Sequence, residues 1–243
     1  MIPKVLHYVW VGGAPLPESA LNRIETWRMH NPDYRLMLWN EQNIDLTLPY
    51  LKRAYEHRNW ANVSNLVRFL ALREYGGIYL DIDIEARRAF APLLRYEAFC
   101  GFQLEARSPD WVNNAVLGAA PRHPFIERAI NSLVKTYDGC EEANLSSPQL
   151  MTRLLVRKGL SSYAEQGVLV EDVFVAPRRY FYPYSWEEEF TESCVTPDTY
   201  TIHFWARTWH NGKPKSRRET LMRRLREFRY LAKDAANRVL HRA

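Results

Sequence analysis

Asp81 and Asp83 stand two residues apart at the end of the run Gly76-Gly77-Ile78-Tyr79-Leu80-Asp81-Ile82-Asp83. In a strand, positions two apart point to the same side, so both carboxylates share a face with Tyr79 while Leu80, Ile82 and Ile84 take the other. Two such charges repel unless a cation lies near them, and hard carboxylate oxygens suit Mg²⁺ or Mn²⁺. A divalent ion there neutralises a diphosphate leaving group as its bond to a sugar breaks. An isolated Asp-Xaa-Asp is more often the solvated end of a strand. Here the acids close an apolar strand that follows a helix and a double glycine, and open α/β sheets bind ligands beyond the carboxyl ends of their strands.

Two other chemistries use paired acids. Phosphatases of the haloacid dehalogenase type place Asp-Xaa-Asp after an apolar strand, which would make Asp81 a nucleophile. In them Thr or Val normally follows the second Asp, whereas Ile84 follows it here and the motif comes late in the chain. Hydrolysis of p-nitrophenyl phosphate separates the two classes. Glycoside hydrolysis needs carboxyls on either side of the scissile bond, which neighbours on one strand do not provide.

The elements that must position these acids read as an α/β sheet. Val5 to Trp10 is β-branched and aromatic between Pro3 and Gly12-Gly13, the pattern of a buried strand ending in a loop. Ser19 to His30 reads as a helix stopped before Pro32, and Arg35 to Trp39 as a second strand, so the chain opens with a βαβ unit. Residues 49–75 are helical in pattern, with Val63, Leu66, Val67, Leu70 and Ala71 on one face and Gly76-Gly77 as the stop. Asn65 and Arg68 lie one turn apart on a different face. Ile78 to Ile84 is the next strand, followed by a strand at Phe99 to Gln103 and a helix at Pro124 to Tyr137. A helix capped by Ser147 and begun by Pro148 runs to Arg157, and a late strand covers Tyr200 to Phe204. Residues 158–199 read as mostly irregular.

With 47% hydrophobic and 25% charged residues among 243, the chain is globular and long enough for a sizeable core. Cys100, Cys140 and Cys194 are far apart and odd in number, which indicates neither a disulfide framework nor a zinc site. No apolar run reaches the roughly 18 residues of a spanning helix, and the opening residues lack the pattern of a signal peptide. The expectation is a soluble cytoplasmic protein. The net charge of +5 is unevenly placed: residues 213–243 hold eleven Lys and Arg against three acids, so the body is mildly acidic. Leu221, Leu225, Phe228, Ala232, Ala235 and Val239 give this tail a basic amphipathic helical pattern. The expected division is a domain over 1–212 and a C-terminal helix over 213–243. The helix either packs on the domain or lies on the inner face of an anionic membrane. Nucleic acid is not an expected partner.

The run Ala61-Asn62-Val63-Ser64-Asn65-Leu66-Val67-Arg68, continued by Glu74-Tyr75-Gly76-Gly77 and the Asp81–Asp83 pair, resembles the sugar-binding region of glycosyltransferase family 32. The clostridial glucosylating toxins are relatives of that family. Ile2-Pro3-Lys4-Val5-Leu6-His7-Tyr8-Val9-Trp10, Trp27, Pro32-Asp33-Tyr34 and Trp39-Asn40-Glu41 resemble the family's start. The likeness covers about residues 1–125 and returns near 200–209.

The resemblance implies a GT-A fold, a Rossmann-like mixed sheet flanked by helices, and sugar transfer with retention from a nucleotide-sugar donor. UDP-sugars are favoured as donor and GDP-sugars remain open. It implies Asp81, Asp83 and Arg68 as catalytic residues, with Asp83, Asp81 and His203 holding Mn²⁺ or Mg²⁺. Trp10, Asn65, Arg68, Asp81, Asn114, Thr208 and Trp209 would bind the donor. Trp10 would stack on the base, Arg68 would meet sugar or phosphate, and Thr208 with Trp209 would close over the diphosphate. Most family members have Asp where this chain has Asn65, an amide that donates as well as accepts. The acceptor expected is a saccharide or lipid-linked glycan of a bacterial surface polysaccharide, with a protein acceptor as the alternative. His7 and His123 are expected to be structural.

Overall fold

The structure is a computed structural model that describes residues 1–206. Strand β1 (Val5–Val9), helix α1 (Glu18–His30) and strand β2 (Arg35–Trp39) form the expected parallel βαβ unit, with Leu6 opposite Leu36. Helices α2 (Pro49–Glu56) and α3 (Trp60–Tyr75) then lead into β3 (Gly77–Leu80), which runs parallel to β1 with His7 opposite Tyr79. The chain continues through β4 (Ile84–Ala86), β5 (Ala98–Phe102), β6 (Val112–Ala119), α4 (Pro124–Thr136) and α5 (Pro148–Arg157). It closes with β7 (Val168–Val170), β8 (Val173–Ala176), α6 (Arg178–Phe181) and β9 (Thr201–His203). Seven strands make one mixed sheet in the order β2-β1-β3-β6-β5-β8-β7, and β4 pairs with β9 in a separate ribbon.

Side chains of the central strands alternate between two apolar layers. Tyr79, Leu117, Cys100 and Val175 pack on the side of α2 to α5, while Ile78, Leu80, Val116, Phe99 and Phe174 pack on the side of α1 and α6. Both faces are covered, as a largely buried sheet requires. This alternation places the continuation of Tyr79, namely Asp81, under helix α3.

Four expectations are corrected. The helix over 49–75 is broken at His57–Asn59, where Arg58 takes φ +55 and the Asn59 N–H turns back to Ala54 O at 2.9 Å. The strand over Ile78 to Ile84 stops at Leu80. Asp81 to Ile84 is a turn closed by Ile84 N–H on Asp81 O at 3.0 Å, after which the chain leaves the main sheet for the β4 ribbon. Ser147 precedes α5 but does not cap it, because its Oγ is spent on Asn114 Oδ1 at 2.6 Å. Residues 158–199 contain the β7–β8 hairpin and α6 rather than being mostly irregular.

The junction of α3 and β3 is held from three sides. Gly76 (φ +61) ends the helix, and at Gly77 (φ +108) a Cβ would come within 2.6 Å of Val5 O. The Trp39 indole N–H donates to His7 Nδ1 at 3.1 Å, which leaves the ring proton on Nε2 to donate to Gly76 O at 2.7 Å. His7 is therefore a neutral structural link, as expected. Among the described residues no helix is long and apolar enough to cross a membrane. The basic segment 213–243 lies outside the described residues.

Candidate active site

The carboxyl ends of β1 and β3 lie side by side, and the acids after β3 meet residues from α3, β6 and β9. Tyr79 OH donates to Asp81 Oδ1 at 2.7 Å and shares a hydrogen bond with Ser64 Oγ at 2.7 Å, which confirms that Tyr79 and Asp81 face the same way. Arg68 Nη2 reaches Asp81 Oδ1 at 3.2 Å, and Nη1 donates to the Asn114 carbonyl at 2.8 Å. The guanidinium lies over the Tyr79 ring, 4.6 Å from its centroid. Arg68 is 4% exposed while Asp81 keeps 24% of its side chain open, so the carboxylate faces outward from a buried cationic base.

Asp83 is fixed from the other sheet. β9 pairs with β4 so that His203 lies opposite Ile84, and His203 Nε2 comes within 3.2 Å of Asp83 Oδ1. The Phe204 N–H donates to Asp83 O at 3.0 Å and the Ala206 N–H to Asp83 Oδ2 at 2.9 Å. Between them Trp205 holds φ +52, a left-handed conformation that is costly for a bulky residue and is seen mostly where the surroundings enforce it. Its ring lies against His203 at 3.9 Å between centroids, and its indole N–H donates to Tyr184 O. The strained turn lets one Asp83 carboxylate receive both a backbone N–H and an imidazole.

Asp81, Asp83 and His203 each offer a ligand atom, all within 4.8 Å of one another. Burial pushes Asp81 up, the Arg68 charge opposes this, and neighbouring Asp83 adds to the rise. Burial acts in the same upward sense on Asp83, but His203 and the Ala206 N–H outweigh it and hold Asp83 below the usual carboxylate range. His203 Nδ1 is buried with no hydrogen-bond partner among the described residues. Two oxygen donors of opposed tendency beside an imidazole form a donor set that fits Mg²⁺ or Mn²⁺.

Asn114 lies in β6, fully buried, with its Oδ1 taken by Ser147 and its Nδ2 without a partner among the described residues. Asn65 Oδ1 accepts from Arg68 at 3.2 Å, and its Nδ2 donates to Ala143 O at 2.9 Å and Ser146 Oγ at 3.1 Å. Trp10 follows β1 at the same sheet end, half-buried, its indole N–H on Ala14 O at 2.5 Å. Gly12 beside it has φ +97 and lies against Trp60, and its N–H donates to Glu41 Oε1 at 2.6 Å. Asp81, Asp83, Arg68, His203, Asn65 and Asn114 thus belong to one connected cluster, with Trp10 at its rim. Thr208 and Trp209 lie outside the described residues. Ser64 and Tyr79 were not assigned a role from sequence. The only signals were the shared face of Tyr79 and Asp81 and the four-residue spacing of Ser64 and Arg68.

A family model described as a glycosyltransferase sugar-binding region containing the DXD motif matches residues 17–100, and that motif is the Asp81–Asp83 pair. Residues 17–100 of the chain are thus similar to that sugar-binding region. A second model, an alpha 1,4-glycosyltransferase conserved region, matches residues 118–228, so the DXD pair and the later His203 segment fall under successive matches. Inositol phosphoceramide mannosyltransferase 3 of Schizosaccharomyces pombe is 31% identical over 138 residues, which are 54% of this chain and 37% of that protein. The Homo sapiens alpha-1,4-N-acetylglucosaminyltransferase is 29% identical over 170 residues, 68% of this chain and 47% of that one. The chain therefore spans less than half the length of these two curated relatives. Among solved structures, the PaToxG glycosyltransferase aligns with TM-score 0.51 and 19% identity over 65% of this chain and 70% of that one, a likeness of fold. The mixed sheet flanked by helices is of the GT-A type.

Proposed function

We propose that this protein is a retaining hexosyltransferase that moves a sugar from a nucleotide-sugar donor, UDP- or GDP-linked, to a saccharide hydroxyl. The observation that carries this reading is the convergence of Asp81, Asp83 and His203 within 4.8 Å beside the buried Arg68. Asp81, Asp83 and His203 would hold Mn²⁺ or Mg²⁺, which when bound supplies positive charge to the leaving diphosphate. Arg68 adds fixed charge at the same place without leaving its buried seat. The unpartnered Nδ2 of Asn114 is poised to donate to a sugar hydroxyl, since a buried amide without a partner is otherwise costly. Trp10 offers an aromatic face for the base.

In the reaction the bond from the anomeric carbon to the diphosphate oxygen breaks, and the acceptor oxygen bonds to that carbon from the same face. The acceptor proton passes to a diphosphate oxygen, so the site needs no separate base. The acceptor is read as a glycan, lipid-linked or free, of a surface polysaccharide. The basic segment 213–243 is read as a membrane-surface anchor. Liposomes containing anionic lipid should co-sediment the full chain and not a form ending at residue 212, and equal binding of the two would remove the anchor.

The decisive experiment is a panel of UDP- and GDP-sugars with Mn²⁺, read by thermal shift and by release of the nucleoside diphosphate. One donor should stabilise the protein and be turned over, and Asp83→Ala, shown folded by circular dichroism, should lose about 100-fold or more in turnover. Turnover at the parent rate by that variant would falsify the assignment.

A further inference from the structure

Helix α3 carries Asn59 at its start and Asn62 and Asn65 at successive three-residue steps, and all three side-chain amides point to one loop, residues 138–147. Asn59 Nδ2 donates to Gly139 O at 2.9 Å, and Asn62 Nδ2 donates to Gly139 O and Glu141 O, both at 3.0 Å. Asn65 Nδ2 continues the series to Ala143 O and Ser146 Oγ. The loop is irregular yet largely buried, so its carbonyls need partners that secondary structure does not supply. The asparagines meet that need with donors that carry no charge. Aspartate could not, because a carboxylate only accepts.

The far end of this loop touches the site. Ser146 takes the Asn65 amide while Asn65 Oδ1 receives Arg68, and Ser147 donates to Asn114 Oδ1. With its oxygen held, Asn114 has one attitude, and its buried Nδ2 is the group left over. Glu141 anchors the near end by accepting from Tyr50 OH and from the Gly139 N–H. Every polar group of Asn65 is engaged within the protein, which sets it apart from a residue waiting for a ligand.

We propose that the loop 138–147 is a fixed wall of the donor pocket, latched to α3 by the asparagine ladder. Asn59, Asn62 and Asn65 then act as positioning residues that set the direction of the Asn114 amide. The latch stands on the hydrogen bonds alone, and its effect on the donor rests on the glycosyl-transfer reading above.

The test compares the parent with Asn62→Asp, which turns two donors into acceptors facing carbonyls, and with Asn59→Asp. Asn59 is the N-cap of α3 but its side chain makes no capping hydrogen bond there, so this variant removes no cap from the helix. Amide hydrogen exchange of residues 138–147 should speed up about tenfold or more in both, the equivalent of one or two lost hydrogen bonds. Donor KM should rise about tenfold with kcat within about threefold, a split that general loss of structure does not give. Unchanged exchange in both variants overturns the latch. Faster exchange with the parent's donor KM overturns the link to the donor. A parent that turns over no nucleotide-sugar overturns the glycosyl-transfer reading instead, and the exchange measurement still decides the latch.

Discussion

Arg68 donates to five acceptors: Ser64 O and Oγ, Asn65 Oδ1, Asn114 O and Asp81 Oδ1. Only a planar guanidinium can serve so many directions from one buried position, since a lysine ammonium is a point charge with three donors. In Arg68→Lys the Asn114 carbonyl and Asp81 lose part of their pairing in a closed site. Stability should fall by about 2–4 kcal/mol in denaturant unfolding, the range for breaking a buried charged contact. Turnover should fall about 100-fold, and a variant matching the parent in both measurements would show that the network does not depend on Arg68. At this scale the sequence revealed the residues whose chemistry is intrinsic. Asp81 and Asp83 stand out through their context, an apolar run after a helix and a double glycine, and His203 and Arg68 through the motifs that resemble the family. The commitment of Asn65 was hidden, because its partners Ala143 and Ser146 lie 78 and 81 residues away. Spacing along a helix says which face a residue takes, not what meets that face.

The same division holds for whole elements. The β1-α1-β2 unit was legible because periodicity, β-branching and the glycine and proline stops all act within a few residues. Its bounds differ from the expectation by one residue at the start of α1 and one at the end of β1. The break between α2 and α3 carries neither Gly nor Pro, since Arg58 itself takes the left-handed conformation, and so left no sign. Strand β6 was obscured by Asn113 and Asn114, which interrupt an apolar run. Gln103 Oε1 takes the Asn113 amide and Ser147 holds the Asn114 oxygen, which leaves only the Asn114 Nδ2 without a partner among the described residues. In the β7–β8 hairpin, Val170 pairs with Val173 across Glu171 and Asp172, and Glu171 rather than a glycine adopts φ +53. Strands of three and four residues have too few positions to show a period. The turn of Asp81 to Ile84 was hidden because the residues alternate as a strand would, while the ribbon partner β9 lies about 120 positions later.

Across the whole molecule, the fold depends on a neutral histidine at the meeting point of β1, β2 and the α3–β3 junction. Burial pulls His7 down to about 4, the hydrogen bond to Gly76 O partly opposes this, and Arg35 adds to the fall. A proton on Nδ1 would also confront the Trp39 indole N–H that now donates to it. In the unfolded chain His7 titrates near its ordinary 6.5. Above pH 6.5 neither state binds the proton, and the contribution of His7 is fully present. Between pH 6.5 and 4 the unfolded state takes up the proton while the folded state does not, so stability falls as pH falls. At pH 4.5 the loss attributable to His7 is about 2–3 kcal/mol, at 1.36 kcal/mol for each unit of pKa difference. Other carboxyls titrate in the same window, so the measurement is a difference. Urea unfolding of the parent and of His7→Gln at pH 7.5 and 4.5 should show the parent losing about 2–3 kcal/mol more between the two pH values. Gln keeps one donor for Gly76 and one acceptor for Trp39 but does not titrate. Equal losses in the two proteins would mean that His7 is charged in the folded state, and that the junction beneath the site is held in some other way.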